Sequence, residues 1–485
     1  MWCELKLSEV NNKRPELATT YQPLELSTIL FHVKHSPQNN DKYTILTDSI
    51  NRFFNKVINT KTVTCLNKIL SFLLLTTTLA SASAQVQKDS ICTEFIRTVQ
   101  FTLAGSETQP PVLPLEGPQR LQLSFDELTD ESHSFRYRIS HCNANWEPDG
   151  LEPYQYLDGF EEGYINDFES SFTTLMPYMH YSCQLPATYT RFLISGNYLL
   201  TVTPDERPDS VLFTRRFWVT EQAIDATVTA GRASEGLMQN QEVSVTLDWN
   251  NQRSPRSGVI FQPQYIKVFV QQNGRLDNMR LMPFSNYSSS SLCYQWRPEN
   301  IFPGGNTFRY FDISNLRATM YNVQRVETYG GEIFVGLRPD EDRSRKNYSP
   351  TESLNGGYKI NARDRNNPTL ESEYVWVNFS LPLERPYLGG GVYIVGALTD
   401  WLLNEESRME WNPEYKAYTK RLELKQGYYA YQLIYRPFGD REGMTSTIEG
   451  DHYGTPNTYT AYIYYRGPND MHDRLIAIRQ VGSGQ

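Results

Sequence analysis

Four residues have the types that hold a metal ion and fall close enough together to be weighed as one group: His141, Cys142, His180 and Cys183. Imidazole and thiolate are the ligands of tetrahedral zinc, so this quartet is where a metal centre would be sought. The local pattern speaks against one. In SFRYRISHC, Phe135, Tyr137 and Ile139 alternate with Arg136 and Arg138, which reads as a strand with one buried and one wet face. Neighbours on a strand point to opposite sides, so His141 and Cys142 cannot both reach one ion without a bulge. C-x-x-C spacing is absent, and His141 is in phase with the apolar residues, as a histidine at the edge of a core would be. The cysteines keep two readings: buried free thiols, or a disulfide for which Cys142 with Cys183 is the first pair to test.

Other chemistries find less. The chain holds no phosphate-cradling glycine motif, no nucleophile elbow and no zinc-protease helix. The acidic run at 339–342 lacks the D-x-D-x-D-G pattern of a calcium loop and reads as a solvated charge run. Carboxylate pairs of the glycosidase kind cannot be ranked from spacing. No catalytic, cofactor or metal residue is therefore assigned, and the expectation is a protein that is not an enzyme and needs no cofactor.

The elements that must carry these residues are strands. EVSVTLDW places Val243, Val245, Leu247 and Trp249 on one face and Glu242, Ser244, Thr246 and Asp248 on the other. YVWVNFSL, GVYIVGAL, YYAYQLIY and YTAYIYY add more strands near the C-terminus, and convincing helical periodicity is almost absent. Short strands divided by Gly, Pro, Asn and Asp turns predict an all-β chain of tandem immunoglobulin-like or early-set sandwiches. Short strands with mixed faces argue against an outer-membrane barrel. Pauses in the pattern predict an N-terminal sandwich over 90–222, a middle one over 223–368 and a C-terminal early-set one over 369–485. The second boundary is set by the polar stretch 339–369.

The first 84 residues stand apart. Residues 69–80, ILSFLLLTTTLA, follow Lys61 and Lys68 and precede Ala82-Ser83-Ala84, the order of a secretory signal peptide cleaved before Gln85. The run is too short to span a membrane, which takes about 20 apolar residues. A leader over 61–84 makes residues 1–60 an upstream extension, disordered and not native to the protein, with translation starting near Val57 or Val63. The whole chain carries 46 Lys+Arg and 55 Asp+Glu. Removing the leader and extension takes nine and six of these, leaving −12 over 401 residues. Such acidity argues against nucleic acid as a partner. With 32 Tyr, 23 Phe and 8 Trp the chain has ample material for buried cores.

Residues 390–401, GGVYIVGALTDW, and 409–435, MEWNPEYKAYTKRLELKQGYYAYQLIY, resemble the early-set sandwich of glycogen-binding modules. In that family the turn tryptophan, here Trp401, stacks on sugar, so the resemblance implies glycan binding as the alternative function. A tryptophan in such a turn equally caps the sandwich core. A wider set of motifs resembles the type IX secretion system plug proteins of Bacteroidetes. These are residues 139–186, beginning ISHCNANWEPDG, and 195–202, SGNYLLTV, followed by 449–466, EGDHYGTPNTYTAYIYYR, and 473–481, DRLIAIRQV. They occur in order over nearly all of 90–481. This resemblance implies a non-catalytic periplasmic plug, exported by its signal peptide and associated with the outer-membrane translocon. Its partner would be the giant translocon barrel of SprA/Sov type, whose periplasmic mouth it would seal when no cargo or shuttle is engaged. The chain itself is expected to be a monomer without a membrane span. Which residues touch the barrel is not implied.

Overall fold

The computed structural model describes residues 86–483, apart from 237, 249–258, 261, 289 and 349–353. The upstream extension 1–60, the leader 61–84 and Trp249 lie outside these residues. Strands dominate throughout, and among the described residues the α-helices are the single turns Pro153–Tyr156 and Pro368–Glu371. No helix among them is long and apolar enough to cross a membrane. The chain is a series of β-sandwiches, with three main cores.

In the first sandwich, one sheet runs Ser90–Ile91, Phe213–Thr220, Gly196–Pro204, Phe135–Cys142, Glu162–Ile165, with Val112–Pro114 parallel to Phe213–Thr220. Facing it are Ile96–Leu103, Leu121–Glu127, Met179–Leu185 and Asp167–Ser170. The alternation read in SFRYRIS is realised: Phe135, Tyr137 and Ile139 are buried while Arg138 is exposed. Aromatic rings fill the space between the sheets. Phe125 stacks on Tyr181 with centroids 5.1 Å apart and meets Phe213 edge-on at 5.1 Å, geometries that add to the gain from burial alone.

The second sandwich pairs Asp225–Arg232, Asn240–Asp248, Ser291–Tyr294 and Asn286–Ser288 in one sheet. Its other sheet is Arg280–Met282, Ile266–Gln272, Thr458–Tyr465 and Arg474–Gly482. The third is a single nine-stranded sheet curled on itself. Its order is Arg309–Asp312, Gly427–Pro437, Gly390–Val395, Arg408–Asn412, Ala417–Lys425, Tyr374–Pro382, Glu332–Leu337, Val323–Tyr329, with Tyr358–Ile360 beside Gly427–Pro437. Phe311, on the first strand of that order, meets Phe379, on the sixth, at 5.5 Å, so the sheet closes over its own core.

The expected domains 223–368 and 369–485 do not follow this topology. The last strands, Thr458–Tyr465 and Arg474–Gly482, pair with Ile266–Gln272 and share the core of the middle sandwich. The third sandwich is inserted between Ile301–Pro303 and Thr458–Tyr465. The described part of the polar stretch taken as a boundary belongs to this insert, where Tyr358–Ile360 pairs with Gly427–Pro437. Hydropathy marks where a strand stops but carries no information on which strand it pairs with, so an insertion reads as a tandem. At the other junction, the first core reaches Val219 and the second begins at Ala223.

Candidate functional site

The quartet His141, Cys142, His180 and Cys183 separates into two histidine–carboxylate pairs. His141 is buried on Phe135–Cys142, its Nδ1 against the Asp149 carboxylate and its ring edge-on to Tyr198 at 4.8 Å. His180, on Met179–Leu185, places Nδ1 2.6 Å from Asp126 Oδ1. No group of three or more His, Cys, Asp or Glu able to hold a metal converges among the described residues. Cys142 and Cys183 are free thiols, as are Cys92 and Cys293, so the disulfide considered between them is not formed. They lie in different apolar clusters, and burial pushes both thiols up to about 12.

Asp126 is the centre of a buried network joining the first sandwich to the third. Its Oδ2 accepts from Lys425 Nζ and from Tyr374 OH, each at 2.6 Å, and Asp126 and Lys425 side chains are 1% and 2% exposed. Lys425 also donates to the Thr369 carbonyl at 2.6 Å and lies 4.1 Å over the Tyr178 ring. Thr98, in the left-handed region at φ 50° within an irregular register of Ile96–Leu103, brings its hydroxyl 2.6 Å from Tyr374 OH. Burial raises the Asp126 carboxyl, but Lys425 and His180 more than offset it and hold it below the usual range. A cleft of about 410 Å³ opens beside this network, lined by Thr98, Tyr358, Asp400 and Glu423 among others.

The second and third sandwiches are joined where the chain crosses between them twice. Asn457 donates to Gln241 Oε1 at 2.8 Å and to the Gly304 carbonyl at 2.7 Å; Gln241 donates to the Tyr453 and Thr455 carbonyls at 2.6 and 2.7 Å. Tyr459 OH donates to Gln241 and Asn273 to Asn457, which satisfies a set of buried amides that would be costly if left open. A Cβ on Gly304 would sit 2.3 Å from the His452 carbonyl oxygen and 2.7 Å from that of Gln239, so only glycine fits this crossing. Just beyond, Glu449 is fully buried and paired with Arg309, at 2.9 Å, and Arg343. Against its burial, these guanidiniums hold the Glu449 carboxyl below its usual range.

The first and second sandwiches meet face to face. Trp218 stacks on Tyr462 at 5.1 Å and packs edge-on against Trp146 at 5.4 Å, in a cluster with Cys142, Leu199, Tyr464 and Leu475. Around it, Ala144 N donates to Asp473 Oδ2 at 3.0 Å, Leu475 N to Ser195 Oγ at 3.0 Å and Tyr464 OH to Asn197 Oδ1 at 2.7 Å. His472 lies 5.7 Å from His141, and burial, with His141 beside it, pushes it down to about 4.

Residues 96–221 match the family described as "Type 9 secretion system plug protein 1st domain". Over the chain, a crystal structure of a hypothetical protein from Parabacteroides merdae ATCC 43184 aligns with TM-score 0.79 and 30% identity. The alignment covers 82% of this chain and 100% of that one. The chain belongs to the type IX secretion system plug protein family. No match is found among the curated proteins. Membership gives this plug-family chain a role in type IX secretion and an association with the secretion apparatus.

Each of the motifs behind the resemblance contributes residues to the joints of the plug-family chain. In ISHCNANW, Asn143 Oδ1 accepts from Asn145 N and Glu147 N at 2.9 and 3.1 Å, shaping the turn that presents Ala144 to Asp473 of DRLIAIRQV. In SGNYLLTV, a Cβ on Gly196 would lie 2.3 Å from His141 Nε2, and Ser195 bridges Glu221 to Leu475. EGDHYGTPN supplies Glu449, Asn457 and the crossing itself. Sequence reasoning missed Asp126, Lys425, Tyr374 and Gln241, because nothing in spacing distinguishes a polar residue facing another sandwich from one facing water. Trp401 sits at φ 59° in its turn, half-buried, edge-on to Phe308 at 6.0 Å and packed against Gly356.

Proposed function

We propose that the protein is a non-catalytic periplasmic plug that binds the periplasmic mouth of the giant outer-membrane translocon barrel, of SprA/Sov type, and seals its pore when no cargo or shuttle is engaged. The observation that carries this reading is the plug-family match at residues 96–221. The joints support it physically. Three sandwiches braced at three interfaces by stacked aromatics, satisfied amides and buried ion pairs form a stiff block, and a stiff block loses little conformational freedom on docking. Barrels of this class reach about 36 strands, and a lumen that wide leaks unless covered. Gating follows if plug and shuttle favour different translocon states, each ligand shifting the population toward its own. In this reading the chain is exported by the leader at 61–84 and acts as a monomer in the periplasm.

The test is co-isolation. A tagged copy is recovered from detergent-solubilised outer membranes of cells with and without the shuttle protein. The barrel is expected in the eluate, enriched when the shuttle is missing. Recovery of the tagged chain without the barrel in both backgrounds would contradict the proposal.

A further inference from the structure

None of the 46 basic residues falls between Leu151 and Thr190, whereas six carboxylates do. The same stretch surrounds a two-stranded sheet in the first sandwich, Leu157–Asp158 paired with Arg191–Phe192. Three aromatic side chains stand out around it: Tyr154 is 75% exposed, Phe160 79% and Tyr189 88%. The backbone brings the segments of Phe160 and Tyr189 together and sets Tyr154 on the turn before them. Tyr154 lies on the helical turn Pro153–Tyr156 that leads into the sheet, and a Cβ on Gly159, next to Phe160, would sit 2.5 Å from the Tyr189 carbonyl oxygen. The flanking arginines are occupied, Arg191 by Asp158 at 2.9 Å and Arg138 by Glu162. Glu152 and Glu161 carry no ion pair among the described residues.

Exposed aromatics gathered on one small element make a binding surface when a partner can bury them, and tyrosine is among the residues that dominate such interfaces. Glu152, Asp158, Glu161 and Glu162 outnumber the two arginines beside them, Arg138 and Arg191, and this excess of negative charge sets the partner's charge. We infer that Tyr154, Phe160 and Tyr189, rimmed by Glu152 and Glu161, form the docking surface of the chain for a protein surface that offers an apolar pocket edged with lysine or arginine. The inference rests on the plug reading, in which that surface belongs to the periplasmic mouth of the barrel.

Binding of the mature chain to the purified barrel in detergent is measured at low and at high salt. Four proteins are compared: wild type, the triple variant Tyr154→Ser/Phe160→Ser/Tyr189→Ser, the double variant Glu152→Lys/Glu161→Lys, and a control, Tyr329→Ser/Leu388→Ser, exposed on the third sandwich at 81% and 86%. The substituted side chains are exposed except Glu161, which is half-buried beside Tyr156, so thermal melts establish that each variant is folded before its binding is compared. The triple and double variants are expected to bind at least tenfold more weakly at low salt, wild-type affinity to fall with salt, and the control to match wild type. A triple variant within twofold of wild type, or a control that loses as much, overturns the docking surface. A double variant that binds like wild type overturns the basic partner. Failure of the wild type to bind the barrel overturns the plug reading and this inference with it, and so differs from failure of the surface alone.

Discussion

At the scale of single residues, the chemistry is that of charges taken out of water and paired. Replacing Lys425 by Met leaves the buried Asp126 carboxylate without its ammonium partner and with only His180 and Tyr374 beside it, and urea unfolding should show a loss of about 3–5 kcal/mol. Adding Asp126→Asn to Lys425→Met should recover part of that loss, because the stranded charge is gone. His472 supplies a pH dependence with a definite sign. Its folded value, pushed down to about 4, lies below the unfolded value near 6.5, so the unfolded chain takes up the proton first. Stability is full above about pH 6.5 and declines toward pH 4, by up to about 3 kcal/mol, and thermal melts across that window should flatten in His472→Asn. Lowering of the Asp126 carboxyl adds a further loss at more acid pH. Little of this was legible in the sequence. His141 as a core-edge histidine followed from its phase on the strand, but Asp126 and Lys425 are 299 positions apart and become partners only through packing.

At the scale of elements, one strand shows what alternation does and does not reveal. In Thr458–Tyr465, Tyr459, Ala461, Ile463 and Tyr465 enter the second core, while Tyr462 and Tyr464 enter the cluster against the first sandwich. Aromatics on both faces mark a sheet covered on both sides, the same logic that gives buried parallel strands their continuous apolar runs. The strand itself was evident; the covering of its second face was not, since the partner sheet comes from residues 135–220. Trp218→Ala removes the ring at the middle of this interface and should cost about 3–5 kcal/mol in chemical denaturation. Gly304→Ala forces a methyl group against two carbonyl oxygens at the crossing. Overpacking of that kind costs about 1–3 kcal/mol, and limited proteolysis should show faster cutting near the joint. The insertion of the third sandwich into the second escaped sequence reasoning for a related reason: strand pairing is decided by non-local contacts that no window contains.

At the scale of the molecule, several residues that carry the family resemblance, Asn197, Glu449, Asn457 and Asp473 among them, help lock the three sandwiches to one another. A plug needs this more than it needs a pocket, because a cover that flexes at its joints would leave gaps over a wide lumen. The four cysteines downstream of Gln85 are free thiols, so no disulfide among them contributes to the locking. Reducing agent should therefore leave the thermal midpoint of the mature protein unchanged. The most direct test of sealing is electrical. The purified barrel is inserted in a planar bilayer and the mature chain is added on the periplasmic side. The plug reading predicts that the large conductance falls to the bilayer baseline in discrete steps and returns when the shuttle protein is supplied. A conductance unchanged by saturating amounts of the chain would contradict it.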